Sequence, residues 1–301
     1  MDIRNVLVPV DFSPASRLAA AFAVQFARNF RARLTFLHVV ESTGGLLHSL
    51  SIRNDTGRTH DAGSIINGLS EIRPADGDLD VQNRIRTGII EEEILAAIDD
   101  EIASLVVVGT HHRGMIRKLL VGSIIETILR KTPVPLLTVT SDASPKSLKR
   151  ILFATDLTES SLEGFRFALK LARTLGATLI VHHSVERISL SFGGSALAVE
   201  HARRKLSELE MEGGRQQVVV ISEVTEGAAS EQILATAEQS GAELIVLTIR
   251  HKGLLEHALL GSTAERIVRE SRVPVLSLPV NEESVGIEAK VYSQASIPSA
   301  V

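Results

Sequence analysis

The sequence has no cysteine. That absence removes disulfides, thiolate nucleophiles and cysteine-ligated metals together. It has no surplus of positive charge either: the formal net charge is -4, which argues against a nucleic-acid partner held by bulk electrostatics. No stretch approaches 18 uninterrupted apolar residues, and the N-terminal run MDIRNVLVPVD lacks a basic head followed by a signal-like apolar segment. No membrane partner and a cytoplasmic location are therefore expected. What is present is ordinary for a soluble globular chain, 44% hydrophobic and 23% charged residues. At 301 residues the length is about twice a typical domain of roughly 150, which predicts two domains.

An internal repeat makes that expectation firm. Residues 106–139 read VVVGTHHRGMIRKLLVGSIIETILRKTPVPLLTV and residues 245–278 read IVLTIRHKGLLEHALLGSTAERIVRESRVPVLSL. An offset of 139 lays Gly261 on Gly122, Ser262 on Ser123, Glu265 on Glu126 and Pro274 on Pro135. Each copy reads as a buried strand, a glycine-containing loop, a helix and a final strand. In the first copy the strand covers Leu105 to Val108, the loop is bracketed by Gly109 and Gly122, and the helix opens at Ser123. A strand that empties through such a loop into a helix N-terminus leaves backbone N–H groups unpaired and pointing at one place, which suits a phosphate.

The rest of the chain alternates in the same way. Residues 5–10 (NVLVPV) form a short strand ending at Asp11, and Ser13 with Pro14 marks a helix start. Strands follow at 34–40 and near 81–85, with a permitted helix near 62–72 and another from about Ile90 to Ile102. Strands alternating with helices of ten to fifteen residues mean a parallel sheet with crossovers on both faces, an α/β fold. Residues 141–149 (SDASPKSLK) are the natural linker between domains at 1–140 and 150–280. The second half restarts at an offset of 145, placing Asp156 on Asp11, Leu179 on Leu34 and His183 on His38. Six residues are thus lost in its weakly patterned middle, which marks a surface segment. The tail, 281–301, has no period and is expected to be poorly ordered or to pack late.

In an open parallel sheet, ligands bind beyond the carboxyl ends of the strands where the strand order reverses. Asp11 ends the first strand and Gly109 the fourth, so neighbouring placement would set a carboxylate and a glycine loop around one crevice. A carboxylate there accepts from ribose hydroxyls; equally, Asp11 could merely start a turn or cap the first helix. Ser123 with Glu126, and Ser262 with Glu265, fit the S-x-x-E capping box, a role compatible with anion binding by the neighbouring amides. Adjacent histidines, His111 with His112 and His182 with His183, invite a metal reading, but successive strand residues point to opposite faces. No metal site is expected.

With these residues in hand, both halves resemble the universal stress protein family, whose nucleotide-binding branch carries G-x2-G-x9-G-[S/T] between the fourth strand and the fourth helix. The resemblance spans roughly residues 3–140 and 148–280. It implies two tandem doubly wound five-stranded parallel sheets, order 3-2-1-4-5, of the adenine nucleotide alpha hydrolase-like kind. It also implies ATP, with or without magnesium, held without an obligatory reaction, hence a stress-response regulator and no enzyme. Carried over, Asp11 would contact the ribose, Val39 the adenine through its backbone, and Gly109, Gly122, Ser123 and Ile124 the phosphates. Pro9, Val10, Thr110, His112, Arg113 and Gly114 complete the first set, and Asp156, Gly253, Gly261, Ser262 and Thr263 form the second.

The motif is not intact. The first half reads G-x2-H-x9-G-S, with His112 as the middle residue; the second reads T-x2-H-x9-G-S, with Thr248 and His251. Where a motif position needs positive φ, glycine takes it freely, histidine is among the less penalised alternatives and β-branched threonine tolerates it least. The first loop also carries Arg113, Arg117 and Lys118, where the second has Lys252, Glu256 and His257, so the first half is expected to be the better anion site. The competing reading is a scaffold or dimerisation module of the same family without nucleotide. An ATP-using ligase with a glycine-rich first loop is disfavoured, because the first-strand loops read VDFSPAS and TDLTESS. The last strands, apolar and terminal in their sheets, are each expected to need cover and to pair with one another. A dimer of such tandem chains is the expected homo-oligomer.

Overall fold

Short apolar runs become strands and the intervening amphipathic stretches become helices. The computed structural model describes residues 2–41, 62–74, 77–110, 123–141, 143, 148–186, 194–251 and 261–281. The first half runs β1 (Asn5–Pro9), α1 (Pro14–Phe30), β2 (Arg33–Glu41), α2 (Ala62–Ile72), β3 (Val81–Gly88), α3 (Ile90–Asp100), β4 (Leu105–Thr110), α4 (Ser123–Lys131) and β5 (Leu136–Thr140). The second repeats it as β6 (Arg150–Ala154), α5 (Glu159–Leu175), β7 (Thr178–Val185), α6 (Gly194–Arg215), β8 (Val220–Glu226), α7 (Ala229–Ser240), β9 (Leu244–His251), α8 (Ser262–Glu270) and β10 (Val275–Asn281).

Within each half the strands are parallel in the order 3-2-1-4-5, and the halves join into one ten-stranded sheet, β3-β2-β1-β4-β5-β10-β9-β6-β7-β8. The junction is the expected pairing of last strands. β10 runs antiparallel to β5, with Val275 opposite Thr138, Leu276 opposite Leu137 and Ser277 opposite Leu136. Thr138 adds a side-chain bond from its Oγ1 to the Val275 carbonyl, 3.2 Å. Because Leu136, Leu137, Val139, Val275 and Leu276 are all fully buried, leaving either edge open would expose several side chains worth about 1.5–3 kcal/mol each. The antiparallel junction also means that the carboxyl ends of β1 and β4 lie at the opposite end of the sheet from those of β6 and β9.

One face of the sheet carries α1, α2, α5 and α6, packed on a core that includes Phe22, Phe26, Phe36, Phe153 and Phe165. The other carries α3, α4, α7 and α8 over Leu7, Leu37, Ile98, Ile128 and Ile267. Both cores run across the junction.

Two helix ends differ between the halves. α1 and α5 both close with a left-handed residue, Arg31 (φ 53°) against Gly176 (φ 59°). The turn after α3 does the same with Ile102 (φ 47°), where the second half has Gly241 (φ 64°). A β-branched residue pays most for this conformation, and at 77% exposure Ile102 recovers little by packing. Ile102→Gly is therefore expected to raise stability by about 1 kcal/mol, after the unfolded-state entropy of glycine is subtracted. The urea midpoint would report it, and a lowered midpoint would show that Ile102 packs usefully.

Candidate functional site

β1 and β4 are neighbours, Val6 beside Leu105 and Leu7 beside Val106, so the strand order reverses between them as the sequence requires. Beyond their ends the chain makes a tight exit turn. Val10 donates its N–H to Leu37 O (2.8 Å), and Asp11 Oδ1 accepts the N–H of Ser13 (3.0 Å). Ser13 then caps α1, its Oγ accepting from Ser16 N, with Pro14 in the first turn as read from the sequence. Burial pushes the Asp11 carboxyl up, but the hydroxyls of Ser13 and Ser16 and backbone N–H groups outweigh it and hold the group below the usual carboxylate range. An ionised carboxylate is thus fixed at the mouth of the β1–β4 crevice. The turn-forming role of Asp11 is present: Oδ1 accepts the Ser13 N–H, and a carboxylate has further lone pairs for a ligand.

The turn is held by a residue that the motif did not single out. His38 on β2 is buried, and its Nδ1 lies 2.8 Å from the Val10 carbonyl. A carbonyl can only accept, so Nδ1 carries the proton. Phe12, at φ 63°, stacks on the imidazole with ring centroids 4.8 Å apart. The second half repeats the device: His183 Nδ1 lies 2.8 Å from the Thr155 carbonyl, and Leu157 stands at φ 61°. The recurrence of histidine at an offset of 145 was the sequence signal for it.

Gly109 and Thr110 belong to β4 and not to a loop, pairing with Val139 and Thr140 of β5. Nor does Gly109 have a positive φ among the described residues. Its missing Cβ is required by packing: a Cβ there would sit 2.2 Å from the Ala15 carbonyl oxygen and 2.8 Å from Ser16 N. The first turn of α1 is thereby drawn against β4, beside the Asp11 turn. Pro9 and Val39 are half-buried and Val10 is buried; Val39 pairs with Arg86 of β3. Ser123 opens α4 and Ile124 follows half-buried. His112, Arg113, Gly114, Gly122 and Gly253 lie outside the described residues.

The second crevice has the same frame and different fittings. Asp156 Oδ1 accepts both the N–H (3.1 Å) and the hydroxyl (2.6 Å) of Thr158. Thr155 is buried and bonds Ser161 through its hydroxyl at 2.7 Å, where the first half has Val10 and Ser16. Thr248 lies within the regular strand β9, so the expectation of a strained positive φ at this position is corrected. Its methyl is accommodated by Gly164 on α5, where a Cβ would meet Thr248 Cγ2 at 2.4 Å; the first half has Ala19 at the matching helix position. One half keeps glycine on the strand and the other on the helix. Gly164→Ala is accordingly expected to destabilise the chain, and Thr248→Ala to cancel most of that loss, a coupling on the order of 1–3 kcal/mol in a double-mutant cycle of urea midpoints. Additive single effects would separate the two sites.

The capping box of the second half is corrected as well. Gly261, exposed, is the N-cap of α8, Ser262 is its first helical residue, and no side chain caps the end. Glu265 reaches forward to Arg269 (3.7 Å), as Glu126 does to Arg130 (2.5 Å). An i,i+4 arginine competes better for the carboxylate than one backbone N–H, because both partners are charged. Among the described residues, the N-cap residue of α8 therefore supplies no side-chain acceptor to the first-turn amides, which include that of half-buried Thr263. The second pair of histidines does diverge: His182 Nε2 meets Thr225 Oγ1 at 2.9 Å, away from the Thr155 carbonyl held by His183, while His111 and His112 lie outside the described residues. No group of histidines and carboxylates able to hold a metal occurs among the described residues, and no helix among them is long and apolar enough to cross a membrane.

A tandem doubly wound sheet with a carboxylate turn and a helix N-terminus at each order reversal defines the class. Residues 2–140 and 147–279 each match the Universal stress protein family, and the chain belongs to that family as a two-copy member. A Staphylococcus aureus (strain USA300) protein assigned to the universal stress proteins is 28% identical over 158 residues, covering 52% of this chain and 95% of its own length. Among solved structures, a universal stress protein from Archaeoglobus fulgidus superposes with a TM-score of 0.68 at 19% identity, over 93% of this chain and 99% of its own. A functionally unknown protein from Pseudomonas aeruginosa PAO1 superposes at 0.67 and 19%, over 97% and 98%.

Proposed function

We propose that the chain is a stress-response regulatory protein that binds ATP in the β1–β4 crevice of its first half, without catalysing an obligatory reaction. The observation that carries the reading is the ionised Asp11 turn, set against β4 by the Gly109–Ala15 contact at the order reversal. The carboxylate accepts from ribose hydroxyls, the amides at the start of α4 take phosphate oxygens, and magnesium, where present, is held by the phosphates. Arg113, Arg117 and Lys118 add positive charge to the first loop.

For the second half, loop charge favours a structural role: where the first loop has Arg113, Arg117 and Lys118, the second has Lys252, Glu256 and His257. The alternative for the whole chain, a scaffold that binds no nucleotide, predicts no heat of binding at all. Calorimetric titration of the intact chain with ATP is the test: the expected stoichiometry is about one nucleotide per chain. Two equal sites, or none, would overturn the reading.

A further inference from the structure

Phe12 follows Asp11 with a left-handed backbone, φ 63°, a conformation that a residue other than glycine keeps only where its neighbours impose it. Those neighbours differ between the halves. In the second half they lie inside the turn: Leu157, at φ 61°, donates its N–H to Thr155 Oγ1 at 3.0 Å, and that hydroxyl is itself bonded to Ser161. An offset of 145 sets Thr155 on Val10 and Ser161 on Ser16. The first turn therefore has the serine but lacks the threonine hydroxyl.

The first turn is tied to α2 instead. Gly68, buried on α2, approaches Phe12 so closely that a Cβ there would sit 2.7 Å from two of its ring carbons. The same ring stacks on His38, whose Nδ1–H holds the Val10 carbonyl. Arg17 supplies a second tie, its Nε donating to the Phe12 carbonyl at 3.3 Å and its Nη2 to Glu71 of α2 at 2.9 Å. The Arg17 and Glu71 side chains are 41% and 62% exposed, so water screens their pair and the ring contact is the stronger tie. Ile65 and Leu69 bury the same side of α2 in the core. In the second half Leu157 and Leu162 stand where Phe12 and Arg17 do, and both pack against the apolar core.

We propose that α2 is a positioning element for the Asp11 turn: Gly68 and Glu71, acting through Phe12 and Arg17, hold the carboxylate where the first-half crevice needs it. The seat of α2 thereby sets the affinity of that crevice. The second half holds its turn from within and has no such dependence. The link to affinity rests on the function proposed above, whereas the hold on the turn does not.

Gly68→Ala in the full chain is the test. The added methyl displaces the Phe12 ring, which is expected to shift the His38 ring protons and the Asp11 carboxyl carbon in NMR spectra of the nucleotide-free protein. Calorimetric titration with ATP is expected to show the affinity lowered by about threefold to thirtyfold. Arg17→Ala, which removes the more exposed tie, is expected to lower it by about twofold to threefold. Adding Val10→Thr to Gly68→Ala gives the first turn the hydroxyl of the second, beside Ser16, and is expected to bring the affinity back to within about threefold of wild type. Unmoved resonances overturn the hold on the turn. Moved resonances with wild-type affinity overturn the link to the site, as does a double variant that binds no better than Gly68→Ala alone. A wild-type chain that takes up no ATP is the failure of the function proposed above, and the Asp11 carbon then decides the positioning by itself.

Discussion

If the chain binds ATP as proposed, Asp11→Asn is expected to lower the affinity by about tenfold to a hundredfold while leaving the fold intact, and Asp156→Asn to change it by less than about threefold. The first figure follows from the chemistry of the turn. Asparagine keeps an oxygen where Asp11 Oδ1 accepts the Ser13 N–H, so the turn and the α1 cap survive. What it loses is the charge, and with it the stronger of two hydrogen bonds to a ribose diol, worth about 1.5–3 kcal/mol for a charged acceptor. The second figure follows from the weaker charge of the second loop, Lys252, Glu256 and His257 where the first has Arg113, Arg117 and Lys118. Titration calorimetry at fixed ionic strength reads both, with circular dichroism to confirm folding. A first-half variant that binds like wild type would remove the carboxylate from the site; equal losses for both variants would remove the asymmetry.

The frame of this site was legible because it rests on patterns that survive without tertiary context. Continuous apolar runs, the Ser13–Pro14 start of α1 and the repeat at offsets of 145 and 139 placed every strand of the first half and the carboxylate turn. The second capping box was misread because a local pattern cannot show which partner wins a glutamate, and Arg269 lies one turn beyond Glu265. Thr248 was read as strain because a glycine motif suggests backbone freedom; in the fold the position is an ordinary strand residue whose Cβ volume decides it. Gly164 supplies that volume from 84 residues away in sequence, a compensation visible only when α5 is laid on β9. His38 was marked only by its recurrence as His183, and Phe12 by nothing in the pattern, because neither lies in the glycine motif. Their work is to hold the Val10–Asp11 backbone.

The stability of the chain is expected to fall between about pH 6.5 and pH 4, with His182 as a main cause. Its ring is 1% exposed. Nε2 meets Thr225 Oγ1 and Nδ1 has no hydrogen-bond partner, so the tautomer with the proton on Nε2 leaves only a bare acceptor unpaired, the cheaper orphan. Protonation would create a second buried donor with nothing to accept it. Burial, with the nearby His183 charge as a smaller cause, pushes the group down from 6.5 to about 4. The unfolded chain therefore takes up a proton between those values and the native chain does not, so acid pulls the equilibrium toward the unfolded state. The stability is complete above about pH 6.5, is lost progressively as pH falls, and the loss reaches roughly 3 kcal/mol near pH 4. Leucine stands at the matching position of the first half, Leu37, fully buried on the same face. His182→Leu is expected to flatten the urea midpoint across this window and to make the variant the more stable protein at pH 5. Parallel acid profiles for wild type and His182→Leu would place the acid sensitivity elsewhere, in the carboxylates that pair across the surface.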